Sequence, residues 1–520
     1  MKNAAKVIRN FYRDSVSLMQ LSSRLAKLPG MSQASAIMAS EANLALLREA
    51  RLLDGSVDAG PNDLLIALQG KSEDALRSAM AEAEAAFAQK PAASGGAVRR
   101  QAPLSLEMGI AESPGANFAL ISTPGDYAAA EAMKALRLGL NVMLFSDNVP
   151  GADEVALKSF ASARDLMVMG PDCGTAIIGG VPLGFANVVR RGGIGVVAAS
   201  GTGLQQVTCL VGRLGEGISH AIGTGGHDLS REVGGITMLQ GLAALSADAA
   251  TRVIVLISKP PAKEIADRVL ERARAARKPV VIIFLGADRK TIVGKNLYPV
   301  KTLEDAAHAA VALLRGKKPA AAPQERNVAL PKLRRSQKYV RGLYSGGTFC
   351  YEASLLLGES IAPVFSNTPV GAAAPLADVW KSQGHTLVDL GDDVFTRGRP
   401  HPMIDHRLRN DRIASEASDA ETAAIILDVV LGYGSHANPA EEIVPAVKAA
   451  RASARKAGRN LVFVGFVCGT EGDPQGLARQ EATLRDAGIL LTRSNAQAVR
   501  LAARIVAAHT QADRRARRAA

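Results

Sequence analysis

The feature that most constrains this chain is the regular alternation of short apolar strands and helical segments over most of its length. Strand 117–123 ends in Pro124-Gly125 before a helix at 127–138, and strand 193–200 passes through Ser200-Gly201 into another helix. Strands that are joined through helices lie parallel in a sheet that helices cover on both faces. The sequence therefore predicts an α/β fold of doubly wound parallel sheets, with ligands at the carboxyl ends of the strands.

A chain of 520 residues is longer than one hydrophobic core supports, so several domains are expected. The patterns indicate a small ferredoxin-like α/β domain, a Rossmann-like domain and two larger parallel-sheet domains that resemble an internal repeat. Segments rich in Pro, Gly, Lys or Arg separate them. The predicted ranges are residues 1–90 for the small domain, 104–190 for the Rossmann-like domain, 191–315 and 339–510 for the two repeats, 316–338 for a basic linker and 511–520 for a basic tail.

The net charge of +13 suggests a nucleic-acid partner, but the distribution of the charge argues against one. Residues 311–341 hold nine Lys or Arg and one Glu, and residues 511–520 hold four Arg and one Asp. These segments carry +8 and +3, which is +11 of the +13, so the rest of the chain is nearly neutral. A basic surface interleaved with aromatic residues is not evident either. We expect no nucleic-acid partner.

The cysteines and the apolar runs argue against other classes of protein. Cys173, Cys209, Cys350 and Cys468 form no CxxC pair, so neither a disulfide framework nor a zinc site is expected. The longest apolar runs are far shorter than the ~20 residues of a membrane-spanning helix. The first residues show no secretory pattern. The expectation is a cytoplasmic protein with no membrane association and no metal site.

Two Ser-Gly turns occur at the same point of the two repeats, where a strand enters a helix. The first is Ser200-Gly201-Thr202-Gly203, and the second is Ser345-Gly346-Gly347-Thr348. Hydroxyls, free N–H groups and the helix dipole at such a place favour phosphate or a carboxylate. The alternative is that the small residues only let the helix pack closely on its strand. A Walker A loop is excluded, because Gly294-Lys295 is followed by Asn296.

Titratable residues follow several of the predicted strands. The catalytic candidates are His227, Asp228, His436 and Glu471, and the candidates for binding substrate or phosphate in the same loops are Gly225, Gly226 and Asp473. A histidine beside a carboxylate in a glycine-rich loop can act as an acid or a base. An ordinary surface histidine in a turn is the alternative for His227 and for His436. Cys468 follows strand 461–467, and a buried structural thiol is its expected role.

Three segments of the chain resemble motifs of the α subunit of succinyl-CoA synthetase, an NDP-forming acyl-CoA ligase. Gly170-Pro171-Asp172-Cys173 resembles its G-P-N-C turn, residues 195–202 its strand and S-G-T turn, and residues 223–228 its G-I-G-G-D-P loop. The resemblance implies a CoA-binding-type Rossmann domain followed by two flavodoxin-like, succinyl-CoA-synthetase-like sheet domains. It also implies CoA, phosphate or a nucleotide as candidate cofactors, with Pro124, Gly125 and the Gly170–Cys173 turn as cofactor-binding residues.

The order of the domains along the whole chain is similar to that of the FdrA family. This resemblance implies a subunit of an oxamate carbamoyltransferase, which phosphorolyses oxalurate to oxamate and carbamoyl phosphate in the breakdown of ureides such as allantoin. The implied partners are a small anionic substrate, phosphate and other subunits of such a complex. A homo-oligomer is also expected.

One departure from the acyl-CoA ligases bears on the reaction. The resemblance implies a phosphorylated histidine in a G-H-A-G-A motif after the strand equivalent to 280–286, but no histidine lies between His227 and His308. Ordinary nucleotide-linked CoA ligation is therefore disfavoured. The leading expectation is a carbamoyltransferase subunit. An NDP-forming acyl-CoA synthetase and a non-catalytic scaffold subunit are the alternatives.

Overall fold

The computed structural model describes residues 1–13, 15–55, 57–88, 103–323, 330–396 and 399–519. Parts of the two predicted linkers, residues 89–102 and 324–329, lie outside the described residues. The chain divides into two compact units, and each is described by itself. The first unit comprises Met1–Val168 with Asp393–Asp405, and the second comprises Met169–Asp392 with His406–Ala520. The sequence placed residues 393–405 inside the second repeat, whereas their contacts assign them to the first unit.

The N-terminal domain is a three-stranded antiparallel sheet with helices. Its elements are β1 (Lys2–Ile8), α1 (Ser15–Ala26), β2 (Met31–Met38), α2 (Glu41–Glu49), β3 (Leu64–Gly70) and α3 (Glu73–Ala88). The strand order is β1-β3-β2, and β3 runs antiparallel to both neighbours. The central strand is the most apolar, and Leu64–Leu68 is fully buried. This is the β-α-β-β-α part of a ferredoxin-like unit. The added helix α2 was not predicted.

The next domain is a short parallel sheet with helices. Its elements are α4 (Leu106–Glu112), β4 (Phe118–Ile121), α5 (Gly125–Arg137), β5 (Asn141–Leu144), α6 (Gly151–Ser162) and β6 (Val168–Met169). The strand order is β4-β5-β6, and β4 runs parallel to β5. Helix α5 buries Ala128, Ala132 and Ala135, whose helical spacing places them on one face. Small side chains on this face let the helix approach its sheet closely.

A seven-stranded sheet forms the first repeat. Its elements are β7 (Thr175–Ile178), β8 (Val181–Gly184), β9 (Arg191–Ala198), α7 (Gly201–Arg213), β10 (Ile218–Gly223), α8 (Ile236–Ala247), β11 (Val253–Ser258), α9 (Lys263–Ala275), β12 (Val280–Phe284), a short 3-10 helix (Arg289–Thr291), β13 (Leu297–Pro299) and α10 (Leu303–Leu314). The strand order is β13-β12-β11-β9-β10-β7-β8. Strands β9 to β13 are parallel, whereas the hairpin β7–β8 joins β10 antiparallel. Residues 175–184 therefore belong to this sheet rather than to the predicted 104–190 domain.

A second seven-stranded sheet forms the other repeat. Its elements are β14 (Tyr339–Tyr344), α11 (Gly347–Ser360), β15 (Val364–Ser366), β16 (Ala374–Pro375), β17 (His385–Asp389), α12 (Asp393–Thr396), α13 (Arg407–Ser418), β18 (Thr422–Val430), α14 (Pro439–Lys456), β19 (Val462–Cys468), α15 (Leu477–Asp486), β20 (Ile489–Thr492) and α16 (Asn495–Ala519). The strand order is β16-β15-β17-β14-β18-β19-β20, and each pair is parallel. Helix α12 lies in the first unit. Helix α16 continues to Ala519, so residues 511–519 extend a helix instead of forming a separate tail.

The two sheets repeat one topology. Read from the β13 edge and the β20 edge, the five matching strands are β13 and β20, β12 and β19, β11 and β18, β9 and β14, and β10 and β17. In both sheets the first long strand, β9 or β14, passes through a Ser-Gly turn into a helix, α7 or α11. The internal repeat that the sequence indicated is therefore present. Only the outer edge differs, because β7–β8 is an antiparallel hairpin and β15–β16 is parallel.

Candidate functional site

The two Ser-Gly turns of the repeats meet in the second unit. The hydroxyl of Ser200, the N-cap of α7, lies 2.7 Å from the hydroxyl of Thr348 in the first turn of α11. A methyl group on Gly346 would lie 3.0 Å from Cγ2 of Thr202, so the two turns are in direct contact. The N-terminal ends of two helices therefore converge at one place, and both carry partial positive charge there.

The second turn is filled by a carboxylate of the protein itself. The N–H and hydroxyl of Ser345 and the N–H of Gly346 donate to Asp428 over 2.8–3.1 Å. Arg409 donates to the same carboxylate at 2.7 Å. Burial lowers the pKa of the Arg409 guanidinium, and the carboxylate of Asp428 opposes that change. Ser345 is 1% exposed, so the prediction of an external anion at Ser345 and Gly346 is not supported by this geometry.

The first turn is open. In the first repeat Ala198, two residues before Ser200, pairs with Ile257, and in the second repeat Leu343, two residues before Ser345, pairs with Leu427. The residue after Ile257 is Ser258 and the residue after Leu427 is Asp428, so these two positions are equivalent. The hydroxyl of Ser200 accepts the N–H of Gly203 at 3.0 Å. Within the described part of the chain, no acceptor pairs with the N–H groups of the two intervening residues, Gly201 and Thr202. An anion fits these donors at the start of α7.

Two charged side chains near the turns were missed by the sequence analysis. Lys259 follows β11, and its Nζ lies 5.4 Å from the ring centroid of Tyr351, one helical turn beyond Thr348. Asp389 ends β17, and burial raises its pKa to about 7. Burial also raises the pKa of the Tyr351 hydroxyl. A charged residue within or directly after an otherwise apolar parallel strand is the signal that would have identified these side chains and Asp428.

The predicted glycine loop and the predicted cofactor turn lie against each other. A methyl group on Gly225, whose φ is +83°, would lie 2.3 Å from the carbonyl oxygen of Pro171. The thiol of Cys173 donates to the carbonyl of Gly223 at 3.4 Å. Thr224 donates its N–H to Ala198 at 2.9 Å, which fixes the loop beside the end of β9. The resembling motifs are thus brought together near the open turn.

The titratable residues of that loop have different environments. Gly226 and His227 are exposed, whereas Asp228 is fully buried. The Asp228 carboxylate accepts the N–H groups of Thr237 and Met238 at 3.1 and 2.9 Å, at the start of α8. This is helix capping, which holds the loop in place. The structure therefore supports a structural role for Asp228, not the predicted catalytic one.

The titratable candidates of the second repeat, His436, Glu471 and Asp473, contact residues other than those of the open turn. His436 accepts the N–H of Asn438 at 3.0 Å, and its ring lies 5.6 Å from that of His406, which contacts Arg409. Glu471 is exposed. Asp473 accepts N–H groups from Val188 and Thr470, each at 2.7 Å, and the side-chain amide of Asn187 at 2.8 Å. Burial raises the pKa of Asp473, which joins segments of the two repeats.

Gly125, Pro124 and Cys468 have the following surroundings in this structure. In the first unit, a methyl group on Gly125 would lie 2.5 Å from the carbonyl oxygen of Asp147, so α5 begins in close contact with the chain after β5. Pro124 is the N-cap of α5 and makes no side-chain hydrogen bond there. Cys468 is buried 4.0 Å from the thiol of Cys209.

Within the described ranges, no cluster of His, Cys, Asp or Glu suits a metal ion, and no helix is long and apolar enough to span a bilayer.

Three family models match parts of the chain. A model described as CoA-ligase matches residues 343–505, and one described as CoA binding domain matches residues 190–286. The CoA binding domain match lies within the first repeat, so the predicted cofactor residues Pro124, Gly125 and Gly170–Cys173 lie outside it. A model described as AllF, heavy metal-associated domain, matches residues 1–103. That segment has no Cys or His, so it lacks the thiolate and imidazole ligands that soft metals prefer.

Curated proteins and solved structures give further comparisons. The chain is 44% identical over 493 residues to uncharacterized protein YahF of Escherichia coli (strain K12), covering 94% of this chain and 95% of YahF. It is 26% identical over 151 residues to the ADP-forming succinate–CoA ligase subunit alpha of Staphylococcus epidermidis, covering 28% of this chain and 48% of that subunit. The chain is also 27% identical over 203 residues to the ADP-forming sulfoacetate-CoA ligase subunit SauD of Bilophila wadsworthia, covering 37% of this chain and 66% of SauD. The dinucleotide-forming acetyl-coenzyme A synthetase 1 of Ca. Korarchaeum cryptofilum, solved with phosphate and ADP, has 15% identity and a TM-score of 0.32, with 76% of this chain and 83% of that chain covered.

Proposed function

The chain belongs to the same family as YahF of Escherichia coli. We propose that it is a CoA-ligase-type enzyme that exchanges an acyl group between a small donor and phosphate. Its CoA-ligase and CoA-binding domains support acyl-transfer chemistry of this class. The observation that carries the proposal is the open turn at Ser200, opposite Thr348. A phosphate group needs free N–H donors at a helix N-terminus, and this turn offers them.

The geometry suits an attack by phosphate on a carbonyl carbon. Hydrogen phosphate binds the N–H groups of Gly201 and Thr202, with the hydroxyls of Ser200 and Thr348 beside it. One phosphate oxygen bonds to the carbonyl carbon of the donor, the bond from that carbon to the leaving atom breaks, and the proton of hydrogen phosphate ends on the leaving atom. Lys259 supplies positive charge for the anionic transition state. The product is an acyl phosphate or its carbamoyl counterpart.

A CoA thioester is the donor that the domain matches favour. The leaving atom is then the CoA sulfur, and the exchange interconverts an acyl-CoA and an acyl phosphate. The residues between His227 and His308 include no histidine, so the loop after β12 offers no site for a phosphohistidine. Phosphorylation of a nucleotide would therefore require a group outside this loop, such as one on a partner subunit.

Carbamoyl transfer is the second candidate, and the same absence of histidine favours it. Phosphorolysis of oxalurate transfers the carbamoyl group directly to phosphate, so no covalent histidine is needed. The leaving atom is the amide nitrogen of oxamate. This function rests on the resemblance to the FdrA family, together with the expectation that other subunits take part. It uses the same open turn.

Phosphorus NMR of the purified chain tests these candidates. Inorganic phosphate is added with succinyl-CoA in one sample and with oxalurate in another, and each is repeated with the subunits encoded by neighbouring genes. An acyl phosphate supports the CoA-ligase-type exchange, and carbamoyl phosphate supports the second candidate. A Ser200→Ala variant should form either product more slowly at limiting phosphate, and the exposed Asp486→Ser variant should match the wild type. Phosphate-dependent product from the neighbouring subunits alone would favour a scaffold role and overturn both.

A further inference from the structure

Asp389 is held rigidly at the end of β17. Its backbone N–H donates to the side chain of Asn367 at 2.9 Å, and its carbonyl accepts from the same side chain at 3.1 Å. Its Oδ1 accepts the N–H of Gly391 at 2.9 Å. The residue is 9% exposed. A carboxyl group fixed in this way keeps one direction without help from solvent.

The second carboxyl oxygen points at the helix that carries Thr348. A methyl group on Gly347 would lie 2.6 Å from Oδ2 of Asp389, so a larger residue there would displace the carboxyl group. Among the described residues, no donor is recorded for Oδ2. This oxygen therefore lies beside Gly347, the residue directly before Thr348, whose hydroxyl contacts Ser200.

The charges around Asp389 come from several elements. Burial is the main cause of the raised pKa of Asp389, which is about 7. The N–H of Gly391 and the charge of Lys259 lower this pKa, and the carboxylates of Asp392 and Asp428 raise it. The thiol of Cys350 on α11 also faces it, and burial keeps that thiol protonated. A carboxyl group that titrates near neutral pH can both take up and release a proton at that pH.

We propose that Asp389 carries the proton in the acyl exchange, an inference that rests on the proposed function. Its carboxylate takes the proton of hydrogen phosphate as the phosphate oxygen bonds to the carbonyl carbon. The resulting carboxylic acid then gives that proton to the leaving nitrogen or sulfur as its bond to the carbon breaks. Asp389 returns to its starting state, and no other reactant is needed. The amide nitrogen of oxalurate depends on this transfer, whereas the CoA sulfur can leave as a thiolate and depends on it less.

Donors with different leaving groups test the role. Asp389→Asn should lower kcat/KM with oxalurate by about 10²–10⁴-fold, because an amide nitrogen leaves poorly without a proton. With a p-nitrophenyl ester the loss should be below about tenfold, because p-nitrophenolate leaves without one. Exposed Asp393→Asn is the matched control and should change neither rate. Equal losses with both donors, or no loss with oxalurate, would overturn the proposal.

An infrared titration tests Asp389 without relying on turnover. The carboxyl band of Asp389 is identified as the difference between the wild-type and Asp389→Asn spectra, and its midpoint is measured with and without inorganic phosphate. Bound phosphate should raise the midpoint, because a nearby anion disfavours the carboxylate. The rise should vanish in Ser200→Ala. A midpoint that phosphate does not move overturns the role of Asp389, whereas a moved midpoint without turnover of any donor overturns only the proposed acyl exchange.

Discussion

Arg409 donates to Asp428 at 2.7 Å, and both side chains are fully buried. The carboxylate also accepts both N–H groups and the hydroxyl of the Ser345-Gly346 turn. The second repeat therefore holds an internal anion where the first repeat is open. This pair explains how two turns of similar sequence differ in structure: Asp428 occupies the second turn, whereas the N–H groups of the first turn have no such carboxylate among the described residues.

Removing the internal anion should destabilise the protein and create a new requirement for an external one. Asp428→Ser copies the residue of the first repeat and leaves the Arg409 cation buried without its partner, which costs about 3–5 kcal/mol. Chemical unfolding measures this loss against the exposed Asp486→Ser control. Added phosphate should raise the midpoint of thermal unfolding more in Asp428→Ser than in the wild type. Equal phosphate effects would contradict the internal-anion interpretation.

The two turn serines should separate ligand binding from stability. Ser200→Ala should weaken phosphate binding about tenfold and cost about 1 kcal/mol of stability through the lost cap on Gly203. Ser345→Ala should leave phosphate affinity unchanged and cost about 1.5–3 kcal/mol, because its hydroxyl donates to a buried carboxylate. Isothermal titration calorimetry and urea unfolding measure the two effects. Weaker phosphate binding in Ser345→Ala would instead indicate that phosphate binds at the second turn, which would contradict this prediction.

Two buried carboxyl groups between the repeats should make stability depend on pH. Burial raises the pKa of Glu352 and of Glu304 from 4.5 to about 7 in each case. Glu352 accepts from the N–H of Leu303 and from Asn495, each at 2.8 Å. A carboxyl group whose pKa is higher in the folded than in the unfolded state stabilises the fold at a pH below its unfolded pKa of 4.5. This stabilisation is lost as the pH rises from 4.5 to about 7.

Glu352→Gln should therefore flatten the dependence of stability on pH. The amide stays neutral, so the variant should lose less stability than the wild type between pH 5 and pH 8, by on the order of 3 kcal/mol. Urea unfolding at the two pH values measures the difference. Glu359→Gln, an exposed change on the same helix, should follow the wild type. The same slope in Glu352→Gln and the wild type would rule out titration of this group.

The four cysteines should be unreactive in the folded protein. All are buried, and Cys209 and Cys468 lie with their sulfurs 4.0 Å apart. Burial raises the pKa of the Cys209 thiol well above its usual value, and the neighbouring Cys468 adds to this. Iodoacetamide should therefore label no cysteine at pH 8 until denaturant is added. Rapid labelling of Cys468 in the folded state would contradict a purely structural role for this thiol.

Local patterns predicted much of the architecture. The strand–turn–helix alternation indicated the parallel sheets, and the two Ser-Gly turns indicated the repeat and the start of each helix. The difference between Ser200 and Ser345 was beyond a local pattern, because it depends on a strand more than 80 residues later in the chain. The N–H groups that the Asp228 and Asp473 carboxylates accept were also not anticipated: those of Thr237 and Met238 for Asp228, and that of Val188, far earlier in the chain, for Asp473. Asp389 was missed because its strand was interpreted only as apolar.

The duplication of the sheet has a consequence for how the junction is maintained. Two separate chains that met through Ser200 and Thr348 would come apart on dilution, whereas covalent connection makes their encounter intramolecular and independent of protein concentration. Fusion also fixes the ratio of the halves at one to one and lets each change by itself. The residues at positions 258 and 428 differ in this way: the first half has a serine there and leaves its turn open, and the second half has an aspartate that occupies its own turn.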